Sequence, residues 1–158
     1  MSTAFDLTGE LPTGRLVIEA SAGTGKTYSL SALVVRHVAE LGRTPDQLLV
    51  VTYTRAAAAE LRDRTRAALV AARAAFDDPA AAAASDWLQR LVTGAPDDVA
   101  QRRDRVVAAI ASFDDATITT IHGFCQITLR QLGLRSGTML DSELGDSSSQ
   151  VVEEVCRD

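Results

Sequence analysis

A chain of 158 residues has the length of one ordinary domain and can bury a single core. Apolar residues make up 46% of it, which excludes wholesale disorder, and no run approaches the ~18 consecutive apolar residues of a membrane span. The formal charge of −5 excludes a surface that attracts nucleic acid everywhere, so any such contact must use local patches.

The charge is unevenly spread. Six acids and one arginine fall between Asp141 and Asp158, whereas five arginines face only Glu60 and Asp63 between Tyr53 and Arg73. Residues 116–140 hold Arg130 and Arg135 and no acid. Lys26 is the only lysine among sixteen basic residues, and it falls in a glycine-rich loop, where a compact ammonium has a chemical use that a planar guanidinium does not. Cys125 and Cys156 are too far apart in sequence to read as a disulfide framework. Met1–Asp6 lacks the basic start and apolar stretch of a signal peptide, so the expectation is a cytoplasmic protein with free thiols and no membrane contact.

In chain order, Leu16–Ala20 is a short apolar run that predicts a buried strand. A loop over Ser21–Gly25 follows, then a helix from Lys26 to Leu41 with Leu30, Leu33, Val34, Val38 and Leu41 spaced along one face. His37 lies on or beside that stripe as a packing residue. Gly42 stands where a C-cap glycine belongs, and Pro45 stops the helix from resuming. Leu48–Tyr53 predicts a second strand, apolar enough to be a parallel strand covered on both faces. An alanine-rich helix over 55–76 comes next, with Glu60 spaced to pair with Arg64, and Asp77-Asp78-Pro79 ends it. Helical patterning recurs over 86–92 and 99–113 around Gly94-Ala95-Pro96. Ala116–Ile121 is a third, β-branched strand that runs through His122–Cys125 into a helix ending near Leu132. A last helix is expected from Gln150, still running at Asp158. Strands alternating with helices define an α/β domain with a parallel sheet.

Three segments carry chemistry. Ala20-Ser21-Ala22-Gly23-Thr24-Gly25-Lys26-Thr27 fits a phosphate-binding loop at every position except the first, where Ala20 replaces glycine. Gly23 and Gly25 let the backbone wrap so that successive amides face one concave nest. The helix that follows adds its positive end, Lys26 can neutralise phosphate oxygens, and the Thr27 hydroxyl can ligate Mg²⁺. A flexible Gly/Ser/Thr linker is the bland alternative, but an apolar run before the loop and an amphipathic helix after it are the context the motif requires. Thr52-Tyr53-Thr54-Arg55 offers hydroxyls, an aromatic face and a guanidinium at a strand end, suited to phosphate and base contacts but common as ordinary caps. Thr119-Thr120-Ile121-His122-Gly123-Phe124-Cys125 is a similar strand end. His122 and Cys125 are spaced like two metal ligands, yet no second pair completes a site, so neither a metal nor a Cys–His nucleophile is expected.

In order and separation the three segments resemble motifs I, Ia and Ib of superfamily 1 DNA helicases of the UvrD/Rep kind, and most closely the RecB-like helicase–nuclease subunits. The likeness runs over residues 5–145 through Ile18–Thr27, through Val51–Thr54 with Ala-Ala-x-Glu-Leu-Arg after it, and through Thr120–Gln126. It implies a P-loop NTPase (RecA-like) parallel sheet with flanking helices, in the form of an incomplete first motor domain. That domain would span 1–140 with a helical insertion at 80–115, and an acidic tail over 141–158 would start a further helical subdomain. The resemblance implies that Ala20–Thr27 hold ATP, with Lys26 on the phosphates and Thr27 on Mg²⁺. It further implies that Thr52, Tyr53, Thr54, Arg55, Thr120 and His122 lie along single-stranded DNA. The implied partners are duplex-end and single-stranded DNA and RecC- and RecD-like subunits, and the implied role is double-strand-break repair and recombination.

The departures from the pattern limit what this segment does alone. No Gln precedes the loop to read adenine, as in RecB-like members, and Arg55-Ala56 replaces the commoner Asn-Lys. No Asp-Glu pair follows an apolar strand to position Mg²⁺ and water, no second motor domain supplies an arginine finger, and no nuclease domain is present. The expectation is a segment inactive by itself. A free-standing nucleotide or metabolite kinase, with 80–115 as its lid, is the rival enzyme reading, and a non-catalytic interaction module is a third.

Overall fold

The computed structural model describes residues 5–12, 14–19 and 25–136 of the chain. Its contacts divide the chain into two units, Met1–Thr119 and Thr120–Asp158. The elements are α1 (Lys26–Leu41), β1 (Leu49–Thr52), α2 (Arg55–Asp77), the short α3 (Pro79–Ala82), α4 (Asp86–Val92), α5 (Pro96–Ala111), β2 (Thr117–Thr120) and α6 (Ile121–Ser136). Single 3₁₀ turns at Pro45–Gln47 and Phe113–Asp115 lead into the two strands, which pair in a parallel sheet. The fold class is α/β, as the alternation of patterns predicts. Among the described residues no helix is long and apolar enough to cross a membrane.

Helix positions follow the sequence closely. Gly42 ends α1 at φ 68°, where its amide and that of Arg43 reach back to the carbonyls of Val38 (3.0 Å) and His37 (3.2 Å). The Arg64 guanidinium meets Glu60 at 2.7 Å, the pair expected at i,i+4. Pro96, read from sequence as part of a separator, is instead the first residue of α5, a position that needs no backbone N–H. The helix α6 begins at Ile121, directly after the strand, and runs on to Ser136. The helix expected from Gln150 lies outside the described residues.

The sheet departs from expectation. Residues 15–19 form no strand, and Leu16, Val17 and Ile18 are exposed, Val17 by 78%. A strand exists only through hydrogen bonds to a neighbour, and an apolar run cannot supply one. Among the described residues the sheet therefore has two strands rather than three. Nor is β1 covered on both faces: α2 packs against it and Val50 is half-buried, while Leu49 and Val51, on the alternate face, are exposed.

The core of the first unit is a stack of helices, with α1, α2 and α5 packed on one another and α4 against α1 and α2. The buried side of α1 is Ser31, Ala32, Val35, Arg36, Val38 and Ala39; of the expected stripe only Val38 belongs to it, Leu33 and Val34 are half-buried, and Leu30 and Leu41 are exposed. Small side chains explain the rotation: Ala32 and Ala39 meet Ala72, Ala75 and Ala109 within one cluster, where close helix approach matters more than side-chain size. Trp87, Leu88 and Leu91 of α4 and Val106 of α5 complete it.

Arg36, 1% exposed, sits inside this core. It pairs through Nε and Nη2 with the Glu40 carboxylate and donates from Nη1 to Leu7 O and from Nη2 to Gly9 O, both at 2.8 Å. Its guanidinium thus ties the segment around Leu7 to α1. Arg90 reaches the same carboxylate at 3.4 Å, and Arg105 Nη1 caps the far end of α1 by donating to Ala39 O (3.0 Å) and Glu40 O (3.1 Å). Burial alone would raise the Glu40 carboxyl, but hydrogen bonding and charge from Arg36, then Arg90, outweigh it and hold it below its ordinary value. His37, half-buried, is pushed below its usual 6.5 by burial and by Arg43 and Arg36, against the opposing pull of Glu40.

Removing one partner of a buried ion pair leaves the other uncompensated, so Arg36→Met should cost about 3 kcal/mol in urea unfolding. Glu60→Ala, which breaks a pair exposed by more than half, should cost less than about 0.5 kcal/mol. Both perturbed groups have folded values below their unfolded ones, so each contributes stability at high pH that is lost on acidification. Stability should fall as pH drops below 6.5, and His37→Gln should flatten the upper part of that decline while leaving the lower, Glu40-dependent part.

Candidate functional site

Ala20–Thr24 of the glycine-rich loop lie outside the described residues, and Gly25, Lys26 and Thr27 open α1. Gly25 is the N-cap at φ 84°, ψ 20°, and its carbonyl accepts the first helical hydrogen bond, from Ser29 N at 2.9 Å. A Cβ there would meet nothing within 4 Å, so the constraint is the left-handed backbone rather than space. Most helices start on Ser, Thr, Asp or Asn, whose side chain takes up an amide of the first turn. This one starts on a residue with no side chain, and its first turn carries no acid. The two ends of α1 therefore differ. Carbonyls at the C-terminal end are taken up by Gly42, Arg43 and Arg105, while the N-terminal end has no side-chain cap and no acid in its first turn to offset the positive dipole. That chemistry fits a polyphosphate, with Lys26 and Thr27 on the same turn.

The second segment lies at the junction of β1 and α2. Thr52 is the last residue of the strand and half-buried, while Tyr53 is 86% exposed. Thr54 is the N-cap of α2, with its Oγ1 accepting from Ala57 N at 3.1 Å, and Arg55 is exposed on the first turn. A hydroxyl that accepts in a cap keeps its own proton to donate elsewhere. The arginine-rich stretch that follows is largely committed to structure. Arg62 donates to Ala116 O at 3.1 Å, Arg64 pairs with Glu60, and Arg66 lies 5.2 Å over the Phe113 ring and 3.4 Å from Asp114. Of the five arginines counted there, Arg55 and Arg73 have no partner among the described residues, so the patch open to an outside anion is smaller than the sequence implies.

In the second unit, Thr120 repeats the Thr54 device: its Oγ1 accepts from Gly123 N at 3.1 Å at the start of α6. His122 is exposed on the first turn, and Cys125, a free thiol, is exposed just beyond it. Among the described residues no group of three His, Cys, Asp or Glu side chains is placed to hold a metal.

A pattern across helices, which the motif search missed, unites the three segments. The first turns of α1, α2 and α6 hold no acid, whereas α4 begins with Asp86 and α5 with Asp97 and Asp98. Of the helices without a motif, α4 and α5 neutralise their own dipole with an acid, while the short α3, like the three that follow a motif, has none in its first turn. The signal was available in the sequence once the helix starts were fixed.

Residues 6–157 match the family model described as the UvrD/REP helicase N-terminal domain. The chain belongs to that family. It is 47% identical over 157 residues, 96% of its length, to the RecBCD enzyme subunit RecB of Mycolicibacterium smegmatis. It is 36% identical over 158 residues, 92% of its length, to the RecBCD enzyme subunit RecB of Escherichia coli. The RecB protein of Chlamydia trachomatis is 37% identical over 120 residues, 75% of this chain and 12% of that protein. The chain spans 14% of the mycobacterial relative and 13% of the Escherichia coli one.

Since Thr54 caps α2 and Tyr53 packs on little, the two should separate in a stability assay. Thr54→Ala should lower unfolding free energy by about 1 kcal/mol, and Tyr53→Ala should leave it within about 0.5 kcal/mol.

Proposed function

We propose that this chain supplies the ATP-binding segment of a RecB-like, ATP-dependent DNA helicase subunit that works in double-strand-break repair and recombination. The observation that carries the reading is the start of α1: a left-handed Gly25, no side-chain cap and no first-turn acid, followed at once by the chain's only lysine. Ala20–Thr27 would hold the triphosphate, with Lys26 compensating phosphate charge and the Thr27 hydroxyl on Mg²⁺. Bound ATP supplies the hydrolysis that drives stepping along DNA.

The DNA-facing residues would be Thr52, Tyr53, Thr54, Arg55, Thr120 and His122. An exposed phenol ring can stack on a base, and the capping hydroxyls of Thr54 and Thr120 can donate to phosphate oxygens without giving up their caps. The partners would be single-stranded or duplex-end DNA and RecC- and RecD-like subunits. With no Asp-Glu pair and no arginine finger of its own, the segment would bind nucleotide weakly and not unwind DNA.

Lys26→Ala should abolish binding of a fluorescent ATP analogue to the 158-residue chain, and Gly25→Ala should weaken it by forcing a Cβ into left-handed backbone. Retained affinity in Lys26→Ala would sink the assignment. Tyr53→Ala should weaken binding of a short oligo-dT by about tenfold, in line with the loss of one stacked base.

A further inference from the structure

We infer that the cavity between α1, α2 and the α3–α4 segment is a binding site for a small, neutral, flat heteroaromatic molecule. It measures about 330 Å³, within the range of pockets that enclose small ligands. Tyr28 and Trp87 line it on one part, and small residues of α2, Ala68 and Ala71 among them, line it on another. Aromatic rings beside bare methyl groups favour a ligand that offers a π-face and little bulk.

The polar groups narrow the chemistry further. Trp87 is buried and its indole N–H donates to the Tyr28 hydroxyl at 2.9 Å. Having accepted that bond, the Tyr28 hydroxyl keeps a proton to donate. Ser85 also lines the cavity. Its backbone is the N-cap of α4, yet its side chain makes no cap bond, and its Oγ is shielded from solvent with no hydrogen-bond partner among the described residues. A buried hydroxyl left without a partner is costly, and a ligand atom that pairs with it removes that cost. Arg64, the one charged residue among the described lining residues, is already paired with Glu60, so the described wall does not call for an ion. A third lining hydroxyl, that of Ser31, is already paired with Thr65 at 3.4 Å. The hydroxyls of Tyr28 and Ser85, within an aromatic and alanine-lined space, therefore select a neutral ring that carries both an acceptor and a second polar atom. None of these lining residues is assigned to triphosphate or DNA, so the inference stands apart from that reading.

Trp87 is the only tryptophan of the chain, so its indole N–H gives one unambiguous resonance. Benzimidazole, neutral at pH 8 and carrying both a donor and an acceptor, is the probe. Titrated into the ¹⁵N-labelled 158-residue chain, it should shift that resonance saturably, with a dissociation constant of about 1 mM or tighter. Ala71→Leu and Ala84→Leu, both at exposed positions that line the cavity, should each weaken binding by about tenfold while far-UV circular dichroism stays unchanged. Ser85→Ala should weaken it by about threefold. A shift that rises linearly to about 10 mM without saturating, or wild-type affinity in both leucine variants, overturns the inference.

Discussion

A guanidinium in a dry core must be satisfied or it unfolds what surrounds it, and Arg36 meets that demand by drawing four acceptor atoms from two parts of the chain onto α1. The segment around Leu7, the Glu40 carboxylate and, through that carboxylate, Arg90 of α4 are all held by this one side chain. Arg105 of α5 then closes the end of the same helix. The result is a helix fixed along its middle and at its carboxyl end. The amino end, which begins at Gly25, has no side-chain cap. Buried arginine bonding, more than leucine packing, holds the helix on which the proposed phosphate site would stand.

The sequence announced the local devices and concealed the long-range ones. Gly42, the Glu60–Arg64 pair and the bounds of α1, α2 and α4 followed from rules that act over one or two turns. The buried side of α1 did not, because it depends on which neighbours arrive, and neighbours 66 residues away such as Arg105 leave no periodic trace. Leu16–Ala20 misled for the same reason: apolar character is written in the residues, but strand pairing is a property of a neighbour. The Trp87–Tyr28 bond, across 59 residues, had no sequence signal at all.

The candidate site was legible in a different way. Its residues were named by three short phrases whose order and separation are characteristic of one family, and membership of the UvrD/REP helicase N-terminal domain family follows from the match over 6–157. What the phrases did not convey is how the hydroxyls are employed. Thr54 and Thr120 serve as helix caps first, so any contact they make with DNA uses the remaining proton. Nor did charge counting reveal that Arg62 and Arg66, besides the expected Arg64–Glu60 pair, are spent within the fold, against Ala116 and Asp114. Acid-free first turns at α1, α2 and α6, a feature the short α3 shares, leave fixed positive ends where net charge is negative overall.

The central proposal is that the uncapped start of α1 receives phosphate groups. Backbone amide resonances of Gly25, Lys26 and Thr27, followed as Mg²⁺–ATP and then adenosine are added to the chain, test it most directly. The account predicts downfield shifts at these amides with the triphosphate and none with the nucleoside. Unmoved amides under saturating Mg²⁺–ATP, or equal shifts with both compounds, would contradict it.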